Sequence, residues 1–150
     1  METVLAETGS KDDIRIYAHL HEVQKILDKF NITYDISVAS AHRTPDVVKE
    51  MVEKSQASVF IGIAGLAAAL PGAIAAHTIK PVIGVPVSGK VNLDAILSII
   101  QMPPGIPVAA VGLDRGENAA LLAAEILALT HEDVQKKVEE YRENMRKKYV

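Results

Sequence analysis

The stretch "ASVFIGIAGLAAALPGAIAA", residues 57–76, decides the fold because it holds no charged residue over twenty positions. About twenty apolar residues in one helix are long enough to cross a bilayer. The composition argues against a single helix, since glycines and the pair Pro71-Gly72 interrupt it and its front half is rich in β-branched residues. We therefore predict a buried strand at 59–63, a glycine turn, and a buried helix at 66–77 that Pro71 interrupts or bends.

Strands and helices alternate on both sides of this stretch. Apolar periodicity predicts strands at 4–6 (short and weak), 33–38, 81–87 and 106–113, and helices at 14–30, 45–54, 91–101 and 117–129. Short apolar strands separated by helices are typical of a parallel sheet covered on both faces. We expect an α/β three-layer sandwich with a doubly wound sheet and a highly charged C-terminal helix at about 131–148, best interpreted as a solvated face or as a helix packing on a partner subunit.

Composition narrows the class of protein. A chain of 150 residues suits one domain over 1–150, and a net charge of −3 offers no basic field for nucleic acid. The lack of cysteine excludes disulfides, a thiolate nucleophile and cysteine-based metal sites, and it suits a reducing cytoplasm. The start, "METVLAETGSKDD", lacks the basic and apolar regions of a signal peptide. We expect a cytoplasmic protein with neither nucleic-acid nor membrane partners.

Polar or glycine-rich segments follow the predicted strands. They are "TGSKDD" (8–13), "SVASAHRTPD" (37–46), "AGLAAALPG" (64–72) and "SGKVN" (88–92). In open α/β sheets, ligands bind outside the carboxyl ends of the strands. The four segments are therefore predicted to converge on one ligand site.

The first two segments carry residues with two interpretations each. Gly9-Ser10 at a helix start is typical of an anion site, although Ser10 or Asp12 could simply cap the helix. Asp13 could accept hydrogen bonds from ribose hydroxyls or be an ordinary acid of a first helical turn.

The second segment offers a cation and an imidazole. Arg43 suits paired hydrogen bonds to phosphate, or alternatively a surface ion pair with Asp46 or Glu50. His42 could carry a proton near neutral pH or be a loop histidine bonded to a backbone carbonyl. The position of these residues and those of the first segment at adjacent strand ends favours a phosphate-bearing small ligand beside an acid/base residue.

Other chemistry is disfavoured. The remaining histidines lack metal-ligand partners at suitable spacing, so packing or solvated roles are predicted for His19, His21, His77 and His131. No GxxxxGK[ST] loop is present, which argues against ATP-driven chemistry. A flavin carrier is disfavoured because no Tyr or Phe lies in the predicted strand-end segments.

Several motifs together carry a family resemblance. "SVASAHRTPD" with "AALPGAIAAHTIKPVIGVPV", "LDAILSIIQMPPGIPVAAVG" and "ENAALLAAEILAL" resembles the N5-carboxyaminoimidazole ribonucleotide mutase family of purine biosynthesis, whose relatives include aminoimidazole ribonucleotide carboxylases. The match runs from about Ile36 to Leu129. "GSKDD" is similar to the Gly-Ser-x-Ser-Asp loop of the family, which extends the resemblance back to Gly9.

The resemblance implies an activity and an assembly. The implied reaction moves a carboxyl group from N5 to C4 of the aminoimidazole without metal, biotin, ATP or another cofactor. The implied protein is a flavodoxin-like homo-octamer with sites where subunits meet, coupled functionally to an ATP-dependent carboxylating enzyme. Carboxylation of aminoimidazole ribonucleotide with free CO2, and a non-catalytic nucleotide-binding homologue, stay open as alternatives.

The resemblance also implies roles for single residues. His42 becomes the catalytic proton carrier, and the substrate-binding residues become Ser10, Asp13, Ser40, Ala41, Arg43, Gly65 and Leu70. Among these, Ser10, Ser40 and Arg43 are implied at the phosphate, Asp13 at the ribose, and Gly65 with its neighbours at the imidazole and carboxylate. The chain departs from the family at Ala69 and Asp12, where many relatives have a histidine and a serine.

Overall fold

A parallel sheet forms the centre of this computed structural model, which describes residues 3–8 and 14–150. Its strands are β1 (Thr3–Thr8), β2 (Thr33–Val38), β3 (Val59–Gly65), β4 (Val82–Val87) and β5 (Ala109–Ala110). They pair in the order β2-β1-β3-β4-β5, and every pair is parallel. This is the strand order of flavodoxin-like proteins, so the prediction of a doubly wound sheet is confirmed.

Helices cover both faces of the sheet. They are α1 (Ile14–Phe30), α2 (Pro45–Lys54), α3 (Leu70–Ala75), α4 (Asn92–Ile100), α5 (Gly116–Ala128) and α6 (Glu132–Arg146). Buried side chains of α1, α5 and α6 form one core cluster, and those of α2, α3 and α4 form the other. Alternate residues of β3 serve both, since Ile61 belongs to the first cluster and Phe60 to the second. The fold is a three-layer sandwich.

The C-terminal helix packs on its own chain. Val134 and Val138 are buried in the first core cluster. The ring of Tyr141 meets Phe30 edge-on, with 5.6 Å between centroids. Lys137 Nζ donates a 2.7 Å hydrogen bond to the carbonyl of Phe30 and so caps the end of α1. The interpretation of this helix as a solvated face therefore misses its packing on the core of its own chain, and packing on a partner subunit stays a prediction.

Two paired glycines bring α3 and α4 close to the sheet. Gly62 of β3 lies opposite Gly84 of β4. A Cβ on Gly62 would lie 3.0 Å from Pro71 Cγ, and a Cβ on Gly84 would lie 2.5 Å from Ile99 Cγ2. The close approach of Pro71 sets the chain just before α3 against the carboxyl ends of β3 and β4.

The predicted helix at 66–77 is wrong in its bounds. Leu66 has φ +54°, in the left-handed region that a right-handed helix does not use, so α3 starts only at Leu70. Pro71 then sits in the first turn, where a proline costs no hydrogen bond, and it neither interrupts nor bends the helix. Within the described residues, no helix is long and apolar enough to cross a membrane.

The predicted strand at 106–113 is also wrong in length, because β5 contains only Ala109 and Ala110. Proline has no N–H for a sheet ladder. Pro107 stands just before β5. Pro86 lies on β4 two residues after Gly84, which pairs with Ala110. Because Pro86 has no N–H, it cannot donate a ladder hydrogen bond to the chain that follows Ala110. Beyond Ala110, isolated hydrogen bonds join the chain to β4, such as the one that Asp114 N–H donates to the carbonyl of Pro86 at 2.9 Å.

Candidate active site

The turn between β2 and α2 is fixed by the two hydroxyls at its ends. Thr44 N–H and Thr44 Oγ1 both donate to the carbonyl of Ser40, at 2.9 and 3.3 Å. In return, Ser40 N–H donates to Thr44 Oγ1 at 3.0 Å, and Arg43 N–H donates to Ser40 Oγ at 3.2 Å. Because the backbone is held in this way, the side chains of His42 and Arg43 are left to face outward.

His42 and Arg43 do not take the structural roles that compete with function. Both are exposed, and among residues 3–8 and 14–150 neither side chain has a hydrogen bond or an ion pair. Glu50, the alternative partner of Arg43, instead accepts a 2.5 Å hydrogen bond from Lys54. The backbone of both residues is held in place, while the imidazole and the guanidinium have no hydrogen-bond partner within the described chain. Both groups are therefore suited to contact a ligand.

Small residues between β3 and α3 form the wall opposite this turn. Gly65 needs to be small, because a Cβ there would lie 3.3 Å from the carbonyl oxygen of Val87. Ala68 N–H donates to Gly65 O at 3.1 Å and closes a tight turn around Leu66. Leu66 holds a left-handed φ that costs a branched L-residue about 1–2 kcal/mol. Such strain is often found where a backbone is shaped for a ligand.

The two segments line one cavity of about 310 Å³ at the carboxyl ends of the strands. It brings together the predicted site residues Ser40, Ala41, His42, Arg43, Gly65 and Leu70. The predicted residues Ser10 and Asp13 lie outside the described residues. Ala69, at the position of the family histidine, also lines the cavity, and the described lining includes no Tyr, Phe or Trp side chain that could stack on a flavin.

Two further cavity residues were missed by the sequence reasoning. Arg15, in the first turn of α1, donates a 2.8 Å hydrogen bond to the carbonyl of Ser88, and both line the cavity. Ser88 belongs to the segment "SGKVN", which was predicted to reach the site, but no pattern singled out the residue. The signal that could have found Arg15 was a cation two residues after the end of the predicted "TGSKDD" segment.

His19 has a structural role that differs from simple solvation. Its Nδ1 lies 3.1 Å from Glu22 Oε2, and its Nε2 lies 3.2 Å from Asp114 Oδ1. The same Asp114 oxygen accepts a 2.8 Å hydrogen bond from Ser88 N–H. Burial raises the pKa of Asp114, but the hydrogen bonds from Ser88 and the neighbouring His19 ring outweigh it, so this pKa lies below its ordinary value of 3.8.

The part of the chain that the structure describes contains no set of side chains suited to bind a metal ion. There, no group of three or more His, Asp or Glu side chains is arranged to hold a metal ion. The cavity instead offers one imidazole, two guanidinium groups and a wall of small residues. This set suits an anionic small molecule and proton transfer.

Known proteins share this architecture and sequence. A family model described as AIR carboxylase matches residues 3–148. A Methanocaldococcus jannaschii protein named N5-carboxyaminoimidazole ribonucleotide mutase is 58% identical over 93% of this chain and 88% of its own. A Pyrococcus abyssi protein of the same name is 47% identical over 93% of this chain and 81% of its own.

A solved structure agrees with these sequence matches. The crystal structure of a Treponema denticola PurE2 variant superposes with a TM-score of 0.89 at 31% identity, covering 99% of this chain and 94% of that one. Fold and sequence therefore agree over nearly the whole chain, and this chain belongs to the AIR carboxylase family.

Proposed function

We propose that this protein is an N5-carboxyaminoimidazole ribonucleotide mutase, an enzyme of purine biosynthesis that forms 4-carboxyaminoimidazole ribonucleotide. The observation that carries the proposal is the position of His42. It lies on a hydrogen-bonded turn, in the same cavity as Arg43 and the small residues of 64–70. The likeness to proteins named as this mutase supports the same reaction.

Proton transfer by one imidazole accounts for the reaction. Protonated His42 gives its proton to N5 of the carbamate, and the C–N bond then breaks with its electron pair left on nitrogen, which releases CO2. The electron-rich C4 attacks the retained CO2 and forms a C–C bond. Neutral His42 then removes the hydrogen from C4 and is ready for another cycle, so atoms and charge balance.

The remaining residues bind and orient in this proposal. Arg43, with Ser40 and Ser10, holds the phosphate, and Asp13 holds the ribose. The space for the aminoimidazole ring of the substrate is lined by Ala41, Gly65 and Leu70. Small side chains let backbone N–H groups approach the carboxylate and leave little room for water, which keeps CO2 beside C4.

We also propose assembly into a homo-octamer with sites at subunit contacts. Exposed apolar side chains on and before α4 support an interface there, since Val91, Leu93, Leu97 and Ile100 have exposed fractions of 62%, 63%, 45% and 50%.

A cytoplasmic location and functional coupling to an ATP-dependent carboxylating enzyme belong to the same proposal, because a carbamate substrate is labile and must be made close by.

The direct test supplies each candidate substrate separately. One reaction contains N5-carboxyaminoimidazole ribonucleotide and the other contains aminoimidazole ribonucleotide with bicarbonate; formation of the C4-carboxylated product is followed in both. Product from the first at a much higher rate supports the mutase. Product mainly from the second identifies a carboxylase using free CO2, and binding without product in either identifies a non-catalytic homologue.

A further inference from the structure

The end of β4 that reaches the cavity extends past its pairing with β5. β5 pairs with Ile83 and Gly84, and no described strand pairs on that side with the residues after Gly84. Ser88, four residues further along the chain, lines the cavity. Backbone N–H and C=O groups at a strand edge need hydrogen-bond partners to hold their positions. Another group must therefore fix this end of β4.

Asp114 supplies these partners with both its backbone and its side chain. Asp114 N–H donates to the carbonyl of Pro86 at 2.9 Å, and Asp114 Oδ1 accepts from the N–H of Ser88 at 2.8 Å. On the same edge, the carbonyl of Gly84 accepts from Val111 N–H at 3.1 Å. Asp114 thus does for Pro86 and Ser88 what a longer strand would do.

His19 orients the carboxylate of Asp114. Its Nε2 lies 3.2 Å from the oxygen that Ser88 bonds, and its Nδ1 lies 3.1 Å from Glu22 Oε2. The His19 side chain is 13% exposed, so water competes little for these contacts. Because both ring nitrogens have a carboxylate partner, the ring cannot turn without losing a contact. The position of the Asp114 oxygen is therefore fixed from α1.

The end of β4 supports the wall of small residues at 64–70. In the parallel ladder Gly65 pairs with Val87, the residue between Pro86 and Ser88. A Cβ on Gly65 would lie 3.3 Å from the carbonyl oxygen of Val87, so the two backbones pack with no side chain between them. Close-packed interiors transmit strain, so a shift of residues 86–88 would reach this wall. The wall lines the same cavity as His42.

Resting on the proposed function, we infer that Asp114, oriented by His19, is a positioning residue that holds this wall closely enough to retain CO2. Two steps compete once the carbamate has broken. Attack by C4 on CO2 gives the C4-carboxylated product. If CO2 escapes first, C4 keeps its hydrogen, N5 keeps the proton that His42 gave, and His42 takes a new proton from solvent. The products are then aminoimidazole ribonucleotide and free CO2, and a looser wall favours them.

The test measures the ratio of the two products formed from N5-carboxyaminoimidazole ribonucleotide. Chromatography quantifies both for native protein and Asp114→Gly, and breakdown without protein is subtracted. Glycine accepts the φ of +58° and keeps the N–H that bonds Pro86, so the substitution removes only the carboxylate. We expect about 5- to 10-fold more aminoimidazole ribonucleotide per carboxylated product, the effect of one hydrogen bond on a ratio.

Three further variants make the result specific. Asp114→Asn keeps an oxygen that can accept from Ser88 N–H, so its product ratio should lie between those of native protein and Asp114→Gly. His19→Ala removes only the orienting ring and should shift the ratio in the same direction. Val138→Ala removes core packing on α6, outside the cavity, and should lower the melting temperature without changing the ratio. Circular dichroism confirms the fold of each variant.

A second measurement is independent of turnover. Hydrogen exchange followed by mass spectrometry should show faster exchange at 64–70 in Asp114→Gly than in native protein, because the wall has lost its support. Val138→Ala should leave exchange in this segment unchanged.

Two outcomes would overturn the inference. One is a native product ratio in both Asp114→Gly and His19→Ala, even with lower total turnover, and the other is unchanged exchange at 64–70 in Asp114→Gly. A native protein that forms no carboxylated product would instead refute the proposed function. Exchange at 64–70 would then decide alone whether Asp114 positions the wall.

Discussion

Neighbouring residues hold the backbone of His42 in position, but within the described residues none of them forms a hydrogen bond with its ring. The reciprocal bonds of Ser40 and Thr44 hold the turn, so replacing the imidazole should leave the backbone intact. His42→Asn keeps a polar side chain that cannot exchange a proton near neutral pH. We expect nearly native ligand affinity and a loss of turnover of about 10²- to 10⁴-fold, the usual contribution of general acid/base catalysis.

The measurement for His42→Asn separates kcat from ligand affinity. Calorimetry with the C4-carboxylated product gives affinity, and steady-state assays give kcat. Ala69 removes the other histidine common in this family's pocket, so no second imidazole should rescue the variant. Turnover close to the native rate would show that the proton carrier lies elsewhere.

Single residues differ in how much the sequence reveals of them. Ser40, His42 and Arg43 were predicted because unusual side chains follow an apolar strand, and that signal is local. The role of His19 was not predictable, because its partner Asp114 lies in a distant loop that reaches it only through packing of α1 against α5. Arg15 was missed for the same reason, since its bond to Ser88 joins two elements far apart in sequence.

At the level of elements, Asp114 ties α1 and the β5–α5 segment to the end of β4. Its pKa is lowered in the folded protein, so the charged form adds stability above its ordinary pKa of 3.8, and that contribution is lost as the pH falls through the folded-state pKa. Asp114→Asn keeps a side chain that tolerates φ +58° but removes the charge. We expect it to lower the free energy of unfolding by about 1.5–2 kcal/mol at pH 7, the lower part of the range for a hydrogen bond to a charged group.

Urea unfolding of native protein and Asp114→Asn between pH 7 and pH 3 tests this pH dependence. The difference in unfolding free energy should be largest above about pH 5 and should shrink as the pH falls below 3.8. A difference that stays constant over the whole range would show that Asp114 does not titrate differently in the folded and unfolded chains.

Contact between α1 and α5 requires a glycine at the start of α5. A Cβ on Gly116 would clash with the backbone carbonyl of His19, a group that cannot move without shifting α1. Gly116→Ala should therefore destabilise the fold by about 3 kcal/mol or more, although alanine favours helices. Urea unfolding measures the loss, and Asn118→Ala, at an exposed position on the same helix, should change stability by less than about 1 kcal/mol.

Elements were predictable where the local pattern is strong. The predicted bounds of α1, β2 and α2 match the structure, because clear apolar periodicity and Pro45 at a helix start define them. The bounds of α3 and β5 were not predictable from periodicity. The first depends on the positive φ of Leu66, and the second depends on a proline in a neighbouring strand.

At the scale of the whole molecule, apolar side chains on α4 are left uncovered. Ala95 and Ile99 face the core, whereas Leu93, Leu97 and Ile100 face outward. Contiguous apolar patches on a protein surface mark interaction sites, and closed symmetric assemblies of identical chains are the commonest way to cover them. We therefore expect α4 to lie in a contact between copies of this chain.

Light scattering at micromolar concentration tests this assembly. A homo-octamer should have a mass of about 129 kDa, eight times the 16.1 kDa of one chain. Leu97→Glu places a charge within the apolar patch, where burying it without a partner costs several kcal/mol, so we expect a smaller species. Gln56→Glu adds the same charge at an exposed polar position and should leave the mass unchanged. A native monomer would refute the assembly and endanger any site shared between subunits, whereas an unchanged mass for Leu97→Glu would place the contact on another surface.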